Sequence, residues 1–364
     1  MLAVACASLC PASGWAQAAS FGELAFVSLR GGEAQIYRRQ PDGAILPVTQ
    51  GPGYSMHPAW SSRGDWAFAQ FQGKGTRVLV CEAECQAPRR VSSEPDWQEH
   101  SPSWSPDGRS LVYVARPLRG GDTELRLLDI QSGRHEVLLK SPSGVGPDPV
   151  SWSRDGMRLV VIAAGSDRKA HAWLIDRADG RSVNLTEPLS PEGALYAQVS
   201  PDGRQLAWAR QSKGRNPVLL TDVETLETRD LMPGQAVRVE SPRWSPDGLH
   251  LAVSLRSLRA PDSNGNVVVL RLSDGAQRAL TDHPAEDFDP RWSADGSTIY
   301  FASLRTGTSL LYEVNSKGGP TRSVSEHKSH DMGAVPRAAD LPAPTAPGTD
   351  RVARGRIPDF EPVH

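Results

Sequence analysis

The phrase SPSWSPDGRSLVYVA, residues 101–115, returns down the chain at nearly constant intervals, and this repetition limits the fold more than any other feature. HPAWSSRGDWAFA carries Trp60, SPSWSPDGRSLVYVA Trp104 and PVSWSRDGMRLVVIA Trp152. YAQVSPDGRQLAWAR follows with Val199 in the Trp position, then SPRWSPDGLHLAVSL with Trp244 and DPRWSADGSTIYFAS with Trp292. The steps between these anchors are 44, 48, 47, 45 and 48 residues. A period of that size means one supersecondary unit that buries its apolar surface only against copies of itself.

Each unit has the same internal order. A short strand ends at Trp-Ser, and Asp-Gly is expected to supply the positive φ angles of a tight hairpin. A second strand alternates apolar residues, as at Leu111, Tyr113 and Ala115. A third follows a polar loop (LRLLDI 125–130, AWLIDR 172–177, VVVLRL 267–272), and a fourth is short, such as EVLLK 136–140 or SVNLT 182–186. Four antiparallel strands per unit predict an all-β propeller blade. Residues 23–49 read as the last three strands of a blade that lacks its first, and HDMGAVPR at 330–337 reads as a first strand with Val335 in the Trp place and no turn after it. Circular closure joins these halves into one blade and removes two exposed edges. The prediction is seven blades closed by the C-terminal strand; six is the alternative if the N-terminal fragment packs elsewhere.

Repeats of the form P-x-W-S-P-D-G-x-x-L resemble the PD40, or TolB-type, WD40-like family over about residues 21–337. The resemblance implies a propeller, and fold alone does not imply activity. TolB-like members carry an N-terminal α/β domain that supplies part of their Tol-system contacts; here the first blade begins almost at a leader-like segment, so no such domain is expected. Peptidase relatives append an α/β-hydrolase domain, where this sequence has AADLPAPTAPGTDRVARGRIPDFEPVH (338–364), a Pro-rich segment expected to lack regular structure. Two repeats depart from the pattern, with Arg63-Gly64 for Asp-Gly and Val199 for Trp, and altered turns or looser packing are expected there.

The first twenty residues contain no charge, an apolar run from Leu2 to about Leu9, and Ala16-Gln17-Ala18. That is an export leader (1–18) with an A-x-A cleavage site, although no Lys or Arg precedes the apolar run. The run is too short to span a bilayer. Lipid attachment at Cys6 or Cys10 is the lesser reading, because neither has Leu three residues before it. Periplasmic or secreted location is expected. After the leader only Cys81 and Cys85 remain, and with no second pair or nearby His to complete a metal site they are expected to form a disulfide. A net charge of −2 without long basic runs argues against nucleic-acid binding.

No G-x-S-x-G, H-E-x-x-H or phosphate-loop spelling occurs. The repeated Asp residues (Asp107, Asp155, Asp202, Asp247, Asp295) fit turn chemistry, and the repeated Trp residues fit the packing between blades. More variable residues stand just before each Trp: His57, His100, Asp148, Glu240, Asp287 and Asp289, with His330 and Asp331 in the closing strand. Placed at the start of innermost strands, they are expected near one mouth of the central channel, where His and carboxylates suit a divalent cation or a basic peptide. His327 with His330 adds only a weak metal signal. The bland alternative is that all of them satisfy strand ends or face water. The functional expectation is a monomeric, non-enzymatic envelope scaffold whose partner is an envelope protein or peptide, without a required cofactor. The alternative is a propeller lyase or hydrolase, acting on oligosaccharides or peptides, with its site at the mouth.

Overall fold

The computed structural model describes residues 22–337, except 143, 147–149, 213, 260–263 and 326–328. The predicted leader, the Pro-rich segment, Asp148 and His327 therefore lie outside the described residues. Seven four-stranded antiparallel sheets form a closed ring of blades. Among the described residues there is no helix, and hence none long and apolar enough to cross a membrane. Blade 1 pairs innermost Asp331–Pro336 with Leu24–Ser28, Gln35–Arg39 and Ile45–Pro47. The innermost strands of blades 2 to 7 are Ser55–Trp60, Trp97–Trp104, Ser151–Trp152, Ala194–Val199, Val237–Trp244 and Asp287–Trp292.

The closing strand sits one residue away from its expected place. Pro336 pairs with Leu24 as Trp104 pairs with Leu111 and Trp292 with Ile299, so Pro336 and not Val335 occupies the Trp position. With neither Trp nor Asp-Gly to mark the register, Val335 was merely the nearest apolar side chain, and strand pairing obeys the ladder.

Alternation along the second strand buries both of its faces. Leu111, Tyr113 and Ala115 pack with Ala67, Val78 and Val80 of blade 2, whereas Val112 and Val114 pack with Leu159 and Val161 of blade 4. Seven such cores result, one at each junction of blades. The repeated Trp residues help to pin these junctions. The indole N–H of Trp152 donates to Ser103 Oγ at 3.1 Å, that of Trp244 to the Gln198 carbonyl at 3.1 Å and that of Trp292 to the Arg243 carbonyl at 3.0 Å, each in the preceding blade. Val199 does not loosen its junction: it is buried at 3% exposure, and fully buried Trp208 fills the same core.

The hairpin turns differ from expectation in one respect. Only glycine takes a left-handed φ (Gly108 65°, Gly156 67°, Gly296 71°), and the Asp before it does not. The Asp carboxylate works instead as a clasp. Ser105 Oγ donates to Asp107 Oδ1 at 2.6 Å, and the Arg109 N–H donates to the same oxygen at 3.0 Å. Ser153–Asp155 and Ser293–Asp295 repeat the arrangement at 2.6 Å. In blade 2, where Arg63 replaces Asp, Ser61 Oγ alone accepts the Asp65 N–H at 2.9 Å. Cys81 and Cys85 are disulfide-bonded across a turn, with Cα atoms 4.9 Å apart.

Candidate functional site

Each innermost strand whose approach to the Trp position is described carries a β-bulge three residues ahead of it. The residue there is left-handed: His57 (φ 52°), Ser101 (50°), Tyr196 (52°), Ser241 (50°), Asp289 (49°) and Gly333 (64°). The ladder skips at the same points, between Met56 and Ala59, His100 and Ser103, Leu195 and Gln198, Glu240 and Arg243, and Phe288 and Arg291. A bulge leaves one residue unpaired and re-aims its side chain. The legible signal was the Pro of H-P-A-W, S-P-S-W and D-P-R-W: lacking an N–H, it belongs where a ladder is broken.

The bulge sorts neighbouring residues into different environments. Two of the expected acids, Asp287 and Asp331, stand five residues before the Trp position and are fully buried. Arg305 binds Asp287 at 3.1 Å and Arg30 binds Asp331 at 3.3 Å. Both arginines come from an S-L-R turn and lie over a tyrosine ring, Arg305 over Tyr312 at 4.2 Å and Arg30 over Tyr37 at 4.6 Å. These two acids are internal ties of blades 7 and 1: Arg305 engages both oxygens of Asp287, whereas Arg30 engages only Oδ2 of Asp331 and its buried Oδ1 has no hydrogen-bond partner. His330 is exposed at the same seam, where its Nδ1 accepts the Ser309 N–H at 3.3 Å.

The remaining residues keep access to solvent. His57 and His100, from adjacent blades, have ring centroids 6.3 Å apart, and His100 Nδ1 lies 3.0 Å from Ser101 Oγ. In blade 7, two blades from His57, Asp289 meets Arg291 at 3.0 Å and Arg243 of blade 6 at 3.6 Å. Glu240 is exposed beside Arg238, Arg256 and Glu286 in a small polar cleft. Sequence reasoning missed the apolar members. Met56, Phe288 and Met332 hold equivalent positions four residues before the Trp position in blades 2, 7 and 1, with Met56 40% and Met332 37% exposed and Phe288 half-buried. Three consecutive blades thus present accessible apolar side chains along one arc of the innermost wall.

Burial pushes the His100 imidazole down to about 4, with the neighbouring His57 and then Arg116 adding to the effect; burial also lowers His57. Both rings are therefore neutral at pH 7, which suits a cation or a hydrogen-bonding ligand better than an anion. A His whose folded pKa is depressed contributes stability above its unfolded value near 6.5, and that contribution is lost as pH falls towards 4. We expect an NMR titration of His100 to show a midpoint near 4. His100→Gln should remove up to about 3 kcal/mol of the acid destabilisation of the chain between pH 6.5 and 4. A His100 midpoint near 6.5 would show an open, hydrated ring instead.

A ring of seven blades closed by its last strand, with a bulged and variable inner wall, defines a β-propeller of the repeat-built class. Residues 157–339 match the family described as the TolB beta propeller domain, PD40, and the chain belongs to that family. It is 27% identical over 164 residues to an uncharacterized peptidase, YuxL, of Bacillus subtilis, an alignment covering 45% of this chain but only 22% of that relative. Among solved structures it resembles TolB from Acinetobacter baumannii (TM-score 0.52, 16% identity, 86% of this chain and 66% of that one). It also resembles an oligogalacturonate lyase in complex with manganese (TM-score 0.63, 15% identity, 85% and 87% covered). At such identities the likeness is one of fold.

Proposed function

We propose that this protein is an exported, non-enzymatic TolB-like propeller that holds a polypeptide segment of an envelope partner at its channel mouth. The observation that carries this reading is the apolar arc of Met56, Phe288 and Met332 on three adjacent innermost strands, flanked by polar bulge residues. Accessible methionine beside an aromatic ring is adaptable apolar surface of the kind that accepts a peptide side chain. The pairing of Asp287 with Arg305 and of Asp331 with Arg30 supports a structural role for these two acids. Export is supported by the uncharged, apolar leader-like segment and by the Cys81–Cys85 disulfide, which persists in an oxidising compartment.

The test is crosslinked capture of partners from the native envelope by the full chain, compared with Met56→Asp and Phe288→Asp. Met56 is exposed, so its variant should fold with unchanged circular dichroism; Phe288 also packs against the core between blades 7 and 1, so its variant is compared only after circular dichroism shows a native fold. Each should reduce recovery of a specific partner by about tenfold, the loss expected for a buried apolar anchor of roughly 1.5 kcal/mol. Equal recovery by wild type and both variants overturns the reading. The second reading, a lyase or hydrolase at the mouth, draws on the neutral His57–His100 pair and on the likeness to a manganese-bound lyase. It requires that His57→Ala with His100→Ala abolish a measurable turnover of oligosaccharide or peptide.

A further inference from the structure

Blade 4 brings together a different set of ligating side chains. The turn between its strands Arg158–Ala164 and Ala170–Asp176 carries Asp167 to His171, and the segment after Arg181–Asn184 carries Glu187 to both. One donor atom from each residue lies within 4.8 Å of the other two. His171 is fully buried, with Nε2 3.0 Å from Asp167 Oδ1. A neighbour fixes each donor from behind. Thr186 Oγ1 lies 3.4 Å from His171 Nδ1, the Asn184 amide donates to Glu187 Oε2 at 2.6 Å, and the Lys169 N–H donates to Asp167 Oδ1 at 2.9 Å.

Gly165 gives an independent sign that this space is built. Its φ is not left-handed, so the backbone does not demand glycine there. A Cβ, however, would stand 2.7 Å from His171 Cδ2 and 2.8 Å from Glu187 Oε2. The glycine lets the turn close directly over the imidazole and the carboxylate, while Asp167 keeps 28% of its side chain in solvent on the open side.

We propose that Asp167, His171 and Glu187 form a binding site for a divalent transition-metal ion. Two carboxylates converge on a buried imidazole, and a cation among the three donors would be attracted by both acids, in competition with Lys169, whose ammonium lies 3.5 Å from Asp167. One nitrogen and two carboxylate oxygens suit zinc or manganese, with the remaining positions left to water. His171 Nε2 faces Asp167 Oδ1 at 3.0 Å, a contact that needs a proton on Nε2; metal binding would displace that proton, and Thr186 Oγ1, which accepts the Ala172 N–H at 2.9 Å, would then accept the Nδ1–H of the metal-bound tautomer. The ion ties the 165–169 turn to the segment that leads into blade 5. It stands apart from His57 and His100, so this site and the proposed peptide site succeed or fail separately.

The test is isothermal titration of Zn2+ and Mn2+ into the full chain, stripped of metal by chelation. Asp167→Asn and Glu187→Gln are preferred to a His171 variant, because both carboxylates reach solvent and His171 fills the core. Wild type and the His57→Ala/His100→Ala double variant should each bind one equivalent of at least one metal. Asp167→Asn and Glu187→Gln should each weaken that binding by at least about tenfold with unchanged circular dichroism. No binding by wild type, binding indifferent to both carboxylate variants, or binding lost in the His57/His100 double variant overturns the proposal.

Discussion

Glu313→Ala is expected to destabilise the folded chain by about 3–5 kcal/mol, the range for removing one partner of a buried ion pair. Glu313, on the third strand of blade 7, accepts from Arg39 on the third strand of blade 1 at 2.9 Å. The two side chains are 9% and 1% exposed, so the pair lies inside the seam where the ring closes. Arg39 also donates to the Gly22 carbonyl at 3.1 Å, and its guanidinium stands 5.7 Å from the Tyr300 ring, which leaves it no route to water when the carboxylate goes. The paired change Arg39→Met with Glu313→Leu should recover most of the loss, because a buried ion pair replaced by apolar side chains of similar volume is near neutral. Chemical denaturation of the wild type and these two variants measures both effects. A loss below about 1 kcal/mol for Glu313→Ala would place the pair in solvent rather than in the seam.

Ending the chain after Ser325 should be more damaging still. It removes Asp331–Pro336, the innermost strand of blade 1, and leaves fully buried Leu24–Ser28 as an open edge. The four paired positions of that ladder contribute about 1 kcal/mol for each hydrogen bond. Loss of Asp331 also strips the buried carboxylate from Arg30, at a cost of about 3 kcal/mol or more. A total above about 5 kcal/mol equals the entire stability of many domains. The expected product is aggregated or unfolded by size-exclusion chromatography and circular dichroism, since an exposed edge strand pairs with other chains. A soluble, cooperatively melting monomer would show that the ring does not depend on this closure.

The architecture was legible because a repeat reports its own period. Evenly spaced Trp-Ser-x-Asp-Gly phrases gave the unit, its four strands and the number of blades, and the incomplete ends implied closure. The closing register was one residue off, because a strand without Trp or turn has no marker except its pairing with Leu24–Ser28. The candidate site was far less legible. His57 and His100 do meet, yet Asp287 and Asp331 were grouped with them from a similar distance to the Trp, although a bulge puts side chains at adjacent positions in unlike surroundings. The arginines that claim those acids lie in S-L-R turns remote from them in sequence. Met56, Phe288 and Met332 read as ordinary apolar residues until the strand ladders place them at one equivalent position of three consecutive blades.

What the sequence determined by itself is local and periodic: strand length, turn chemistry, the Trp at five of the seven blades, and the unit that must stack to bury its surface. What only the tertiary structure decided is which variable side chains meet. Asp167 and Glu187 become neighbours through loop closure, and Met56 and Met332 take equivalent places on adjacent blades through ring closure; neither leaves a fixed spacing for a motif to record. Repetition fixes backbone positions around the ring, whereas burial, bulges and long-range ion pairs determine which functional groups remain free.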